Sequence, residues 1–149
     1  MTPTVYNFVK SLKLTGKTLD VGSYSVNGNV RNLFSDYTGL DMREGPNVDI
    51  VASSHAMPLS DKIFDAVVCL EMLEHDDNPF QSVSEMVRVL KPSGTLVLTA
   101  CGIGFPRHDF PSDYWRFTEA GLVLLMRGLV DVKTAADVDH VYGTGRKPS

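Results

Sequence analysis

Long apolar runs are missing from this chain. No stretch approaches the roughly 20 residues that cross a bilayer. The start, Met1-Thr2-Pro3-Thr4, has neither the basic stretch nor the apolar core of a secretory leader. A cytoplasmic chain without a membrane partner is the expectation. Cysteine is scarce, two residues in 149, and Cys69 and Cys101 each end an apolar, strand-like run. Buried thiols in a reducing compartment are expected there, rather than a disulfide or a nucleophile. Together with four histidines at irregular spacing, these cysteines form no metal-ligand pattern, so no metal is expected. Lys and Arg are scattered and the formal net charge is −4, which speaks against a nucleic-acid partner. Repeats, low-complexity tracts and linkers are also absent. A chain of this length is expected to form one domain, residues 1–149, burying about two-thirds of its unfolded surface.

What is present alternates between two periods. Val5, Phe8, Val9 and Leu12 recur at helical spacing behind Thr2 as a cap and Pro3 at the first helical position. Strands are expected at 18–21, 37–41, 48–51, 63–70 and 95–100. The run through Val67, Val68 and Cys69 is apolar on both faces, as in a covered parallel sheet. A helix is expected from the loop after the first strand to about Phe34. Another should start at Asn78-Pro79 and carry Phe80, Val83, Met86, Val87 and Leu90 until 91–94 stop it. A third follows Thr118. The closing stretches, 130–135 and about 139–146, are joined too tightly for a helical crossover and should pair antiparallel. The predicted fold is therefore α/β: a Rossmann-like, doubly wound, mostly parallel sheet with one antiparallel strand near the edge. Gly22, Asp41, Ser53, Glu71 and Cys101 then share its carboxyl edge, where such sheets bind ligands.

The first loop, Asp20-Val21-Gly22-Ser23-Tyr24-Ser25-Val26-Asn27-Gly28, reads as a nucleotide cradle. Asp41, about 20 residues beyond its glycine, can accept from both hydroxyls of a ribose; otherwise it is a surface aspartate closing a strand. Tyr24 stands where a dinucleotide site wants its second glycine and would crowd a diphosphate. No Lys follows Gly28, which excludes a phosphate-binding P-loop. Tyr114 lacks a Lys four residues on, so the tyrosine–lysine pair of short-chain dehydrogenases is absent too. A cofactor with adenosine and no diphosphate fits better.

These residues carry a family resemblance. Asp20-Val-Gly-Ser, Gly39-Leu-Asp41 and Met57-Pro58-Leu-Ser-Asp61 before Phe64-Asp65-Ala-Val-Val resemble class I S-adenosylmethionine-dependent methyltransferases. Glu71-Met-Leu-Glu-His75 and Val87-Arg-Val-Leu-Lys-Pro-Ser-Gly94 are similar to the small-molecule, type 11 branch. The resemblance covers roughly 17–101, and Tyr142-Gly-Thr-Gly-Arg-Lys147 is similar to the last strand of short members. It implies S-adenosylmethionine as cofactor and S-adenosylhomocysteine as product. It implies that Gly22, Ser23, Tyr24 and Gly28 face the methionine part and that Asp20 reaches its ammonium. Asp41 would hold the ribose and Met42 the adenine face. Ser53 replaces the family's usual acid, with Ser54 and His55 following near the adenine, and Leu70 and Glu71 line the floor near the sulfonium.

Methyl transfer to oxygen or nitrogen can use a base. His75 is a candidate by its place after the fourth strand and its ordinary titration range; the plainer role is a bond to Asp76 or Asn78. Glu71 is a second candidate, or a cofactor neighbour. After the fifth strand, residues 105–117 hold the only Trp. Here His108, Tyr114, Trp115 and Arg116 either line the substrate pocket, stacking on a ring and clamping an anion, or cover the sheet edge with Arg116 paired to an acid. His140 is expected to be structural. A small-molecule or sugar-like acceptor is expected, with the cleft closed by that segment or by a second subunit in a homodimer. Two rivals remain: a catalytically silent cofactor-binding module that acts with a partner protein, and a nicotinamide-dependent reductase.

Overall fold

The computed structural model describes residues 1–25, 27–109 and 111–149. Val26 of the glycine loop and Phe110 of the aromatic segment lie outside the described residues. Seven strands form one sheet: β1 (Lys17–Val21), β2 (Asp36–Asp41), β3 (Ile50–Val51), β4 (Phe64–Leu70), β5 (Leu90–Cys101), β6 (Val130–Ala136) and β7 (His140–Arg146). Their order is β3-β2-β1-β4-β5-β7-β6. The first five are parallel, and β7 runs antiparallel to both β5 and β6. The expected architecture is present, including the single antiparallel strand beside the edge.

Period-2 alternation sends the two faces of the sheet to different helices. Val67, Cys69, Leu96 and Leu98 pack with Val83, Met86 and Val89 of α2 (Pro79–Val89), with Leu122 and Leu125 of α3 (Glu119–Leu125) and with Met126, which caps α3. Val68, Leu70 and Val97 point the other way, onto Val5 and Val9 of α1 (Pro3–Ser11). The expected caps are in place. Thr2 Oγ1 accepts from Val5 N, Asn78 Oδ1 from Gln81 N and Thr118 Oγ1 from Gly121 N, each satisfying an otherwise orphaned first-turn donor.

Two expectations need correction. The helix from the glycine loop to Phe34 is a single 3-10 turn, Arg31–Leu33. Asn29 Oδ1 accepts from Arg31 N, and the Arg31 guanidinium reaches Asn47 Oδ1 and Asp49 Oδ2. Phe34 is already extended, so too few residues remain before β2 for a second turn. Residues 91–94 also do more than stop α2. They form an irregularity inside β5, where pairing with β4 jumps from Phe64↔Leu90 to Ala66↔Thr95. Lys147 pins it from the chain's far end, with Ser93 N on Lys147 O and Lys147 N on Gly94 O.

Strand order reverses between β1 and β4, so their carboxyl ends part and leave a crevice. Gly22 opens it. Its φ is +84°, and a Cβ there would lie 2.5 Å from Met72 Cγ. Gly39 permits the neighbouring turn to approach: a Cβ would lie 2.2 Å from Asn47 O.

Candidate active site

A cleft of about 670 Å³ lies at this reversal. It gathers Asp20, Gly22, Ser23, Tyr24 and Gly28 after β1, Asp41 and Met42 after β2, and Ser53, Ser54 and His55 after β3. Leu70, Glu71 and His75 come from the end of β4 and beyond, and His108 and Tyr114 from the 105–117 segment. Fifteen positions read from sequence thus share one cavity. Trp115 and Arg116 are not among its lining residues. Trp115 Nε1 donates to Asp76 O at 2.8 Å. Arg116 is spent on Asp113 and on the carbonyls of Phe105 and Pro106. Of the two roles weighed for Arg116, pairing with an acid is the one observed, because its fork matches a buried carboxylate.

Asp20 and Asp41 differ in character. Asp41 is buried too, but its Oδ2 accepts from Tyr24 N at 3.2 Å and its Oδ1 from Arg43 N at 2.9 Å, so backbone donors fix its carboxyl group. Tyr24 turns its ring under the Arg43 guanidinium, 4.3 Å from the ring centroid, and delivers only its backbone to Asp41. Asp20 is buried and accepts from Tyr37 Oη at 2.5 Å; Asn47 Nδ2 donates in turn to that phenol. Burial pushes Asp20 up to about 7 and the Asp41 charge adds to this, against the Tyr37 hydrogen bond.

Glu71 follows β4 with φ +54°, a left-handed conformation that costs a non-glycine residue of order 1 kcal/mol. Burial raises it to about 7, with the Glu74 charge adding. Among the described residues, its Oε1 and Ser23 Oγ have no hydrogen-bond partner. An orphaned carboxylate oxygen beside two carboxyls raised by burial fits a ligand that brings positive charge to this end of the cleft.

Beneath Glu71 lies a polar pocket that sequence reasoning did not find. Glu74 is fully buried and accepts the Cys101 thiol at 3.1 Å, and His140 Nε2 lies 3.8 Å from Glu71 Oε2. Burial, with the negative neighbours Glu74 and Glu71 adding, pushes the Cys101 thiol far up, so it is a donor here and not a nucleophile. Asp76 is also new. It binds His55 Nε2 at 2.6 Å and accepts from Ser82 Oγ, tying the β3 loop to α2. His75 bonds neither Asp76 nor Asn78: its Nδ1 meets Ser112 O and its Nε2 meets His108 Nε2 at 3.1 Å. Only the helical and strand periods were readable locally. Contacts across more than thirty residues leave no trace in them.

Comparisons with known proteins agree with this geometry. The family profile described as a methyltransferase domain matches residues 19–98, more than half of the chain. The ubiquinone biosynthesis O-methyltransferase of Dechloromonas aromatica is 33% identical over 112 residues, 60% of this chain and 47% of that protein. The chain thus spans about half the length of that curated relative. A crystal structure described as a putative methyltransferase from Bacillus halodurans superposes with a TM-score of 0.77 at 15% identity, over 98% of this chain and all of the other. The 1,6-didemethyltoxoflavin-N1-methyltransferase of Burkholderia thailandensis, solved with S-adenosylhomocysteine, superposes at 0.76 and 18% identity, over 99% of this chain and 78% of that one. By the profile match, the strand order and the shared fold, this chain belongs to the methyltransferase-domain family, the type 11 branch of the class I S-adenosylmethionine-dependent enzymes.

Proposed function

We propose that this chain, acting in the cytoplasm, transfers the methyl group of S-adenosylmethionine to an oxygen or nitrogen nucleophile on a small molecule. One observation carries the reading: Asp20, hydrogen-bonded by a phenol, and Asp41, hydrogen-bonded by backbone amides, flank one cleft at the strand-order reversal. Asp41 receives the ribose hydroxyls, its backbone donors keeping it aimed. Asp20 pairs with the ammonium, which offsets the cost of its buried charge. Gly22, Ser23, Tyr24 and Gly28 cradle the methionine chain. Met42, exposed at the mouth, packs on the adenine, with Ser53, Ser54 and His55 at its edge. Ser53 Oγ already accepts from His55 N at 3.1 Å, so a lone pair remains for the adenine amino group.

The cofactor, when bound, supplies a methyl group on a positively charged sulfur. The chain's own task is to hold the acceptor in line with it, and good orientation contributes on the order of 7–11 kcal/mol. Leu70 and Glu71 form the floor at that point, while His108 and Tyr114 bound the acceptor side, opposite the glycine loop. His75 takes the acceptor's proton, with Glu71 as the other candidate base. Closure over the acceptor falls to the 105–117 segment or to a second copy of the chain; sedimentation with and without S-adenosylhomocysteine separates the two.

Calorimetry tests the cofactor. S-adenosylhomocysteine should bind and nicotinamide dinucleotide should not; the reverse makes the chain a reductase. Asp41→Ala should weaken S-adenosylhomocysteine about ten- to a hundredfold, since charge-assisted hydrogen bonds contribute roughly 1.5–3 kcal/mol. Unchanged affinity removes Asp41 from the ribose. Labelled S-adenosylmethionine against an acceptor panel tests transfer. The likeness to an O-methyltransferase puts hydroxyl acceptors first, with nitrogen acceptors second. Binding without transfer to any acceptor would instead describe a silent module.

A further inference from the structure

His75 ends a 3-10 turn after β4 (Leu73–His75), and His108 lies 33 residues on, in the 105–117 segment. Their Nε2 atoms nevertheless stand 3.1 Å apart, with the rings edge to face at 4.8 Å between centroids. Both rings line the cleft.

The outer nitrogens decide where the hydrogens sit. His75 Nδ1 meets the Ser112 carbonyl, which can only accept, so Nδ1 carries the hydrogen and Nε2 presents a lone pair. His108 Nδ1 is buried without a hydrogen-bond partner among the described residues; the nearest carboxylate oxygen of Asp113, Oδ2, lies 3.5 Å away and accepts from the His108 backbone N–H at 2.7 Å. Asp113 is held by both terminal nitrogens of Arg116, and its side chain is only 1% exposed. The guanidinium keeps this carboxylate ionised far below the usual range. A carboxylate there favours hydrogen on His108 Nδ1, which turns a second lone pair toward the first. Two imidazole lone pairs at this distance repel until a proton lies between them. Glu74 Oε1, 4.0 Å from His75 Nε2, and Asp113 then stand on either side of the cation that forms. Further titratable groups are Asp76, Arg107 and Asp109, next to the two histidines in sequence, and Glu71 and His140, 3.8 Å apart; the Phe105 ring touches both His108 and His140.

We infer that His75 and His108 act as one proton acceptor, sharing between their Nε2 atoms the proton that leaves the methyl acceptor. The inference rests on the methyl-transfer reading above and narrows the acceptor to one carrying an O–H or N–H to lose. A lone pair on the acceptor's heteroatom forms the bond to the methyl carbon, and the carbon–sulfur bond breaks with its electron pair passing to sulfur. The heteroatom keeps the electrons of its bond to hydrogen, and the proton goes to the imidazole pair. One positive charge disappears from sulfur and one appears between Glu74 and Asp113, so the cleft's net charge is constant through the step. His75 and His108 are the catalytic residues in this account. Asp113 and Arg116 are positioning residues.

Nitrogen-15 NMR of histidine-labelled protein, saturated with S-adenosylhomocysteine and titrated with acid, tests the pair without a known acceptor. The expected result is an Nδ1–H tautomer for His75 and a first protonation that moves both Nε2 resonances with one midpoint. His108→Gln should leave His75 titrating alone, its midpoint lower by about one pH unit, a tenfold loss of proton affinity. Asp113→Asn should lower the shared midpoint in the same direction and move His108 toward the Nε2–H tautomer; it reads the same property if His108→Gln fails to fold. Independent midpoints in the wild type, or a His75 midpoint indifferent to both substitutions, overturn the pair. Uptake of one equivalent of Zn²⁺ that abolishes both titrations overturns it as well, since the two nitrogens would then be metal ligands. Calorimetric binding of S-adenosylhomocysteine by the wild type tests the cofactor reading by itself. A protein that binds it while its histidines titrate separately keeps that reading and loses the pair.

Discussion

Asp20 and Asp41 lie at the carboxyl ends of neighbouring strands and both are buried, but their partners differ: a phenol for Asp20, backbone amides for Asp41. The Asp20 shift has a signed consequence for stability. Between its ordinary value of 3.8 and the folded value of about 7, the folded chain keeps a proton that the unfolded chain has lost. Stability therefore falls as pH rises through that window. Asp20→Asn removes the effect. Its stability relative to wild type should grow between pH 4.5 and 7.5 by about 3 kcal/mol, at 1.36 kcal/mol for each pH unit between the two pKa values. Urea denaturation at the two pH values measures this, and a pH-independent difference would rule out the buried, neutral carboxyl. Both aspartates were legible because each ends an apolar run beside a glycine. Glu74, equally buried, was not: nothing in Glu71-Met72-Leu73-Glu74-His75 distinguishes the acid that faces the cleft from the acid beneath it.

Elements were legible where period and caps agreed. Thr2-Pro3, Asn78-Pro79 and Thr118 each announce a helix by a side chain that satisfies a first-turn amide. The loop after β1 carries similar local signs, with Val30, Leu33 and Phe34 at helical spacing, and still makes only one turn. Arg31 is drawn across to Asn47 and Asp49, a tertiary demand that spacing does not register. The 105–117 segment has no period at all. Its shape comes from contacts with the turn after β4: Tyr114 N and Trp115 N on Glu74 O, Ser112 O on His75, and the indole on Asp76 O. Trp115→Phe deletes only the indole donor and should cost about 1 kcal/mol of stability. It should lower turnover of whichever acceptor the panel identifies while leaving S-adenosylhomocysteine affinity within about threefold. If affinity falls instead, the indole supports the cofactor side through Asp76 and His55.

Across the whole molecule the two faces of the sheet are unequally clothed. One carries α2 and α3; the other has α1 and the single turn at Arg31–Leu33. Alternation along β4 and β5 foretold two covered faces but not their unequal cover, because the missing helix was a tertiary outcome. The thinner layer also touches the glycine loop's continuation: the Tyr6 phenol of α1 exchanges hydrogen bonds with the Asn32 amide. Nine residues are a marginal helix on their own. The amides of α1 should therefore exchange with solvent sooner than those of β4, through excursions far smaller than global unfolding. Whatever settles the glycine loop should quiet α1 in step. Deuterium uptake in α1 should slow when S-adenosylhomocysteine is added, whereas uptake in α3, across the sheet, should not change. The chain would then register occupancy of its cleft in the layer that adjoins the glycine loop, as a slower clock in one short helix.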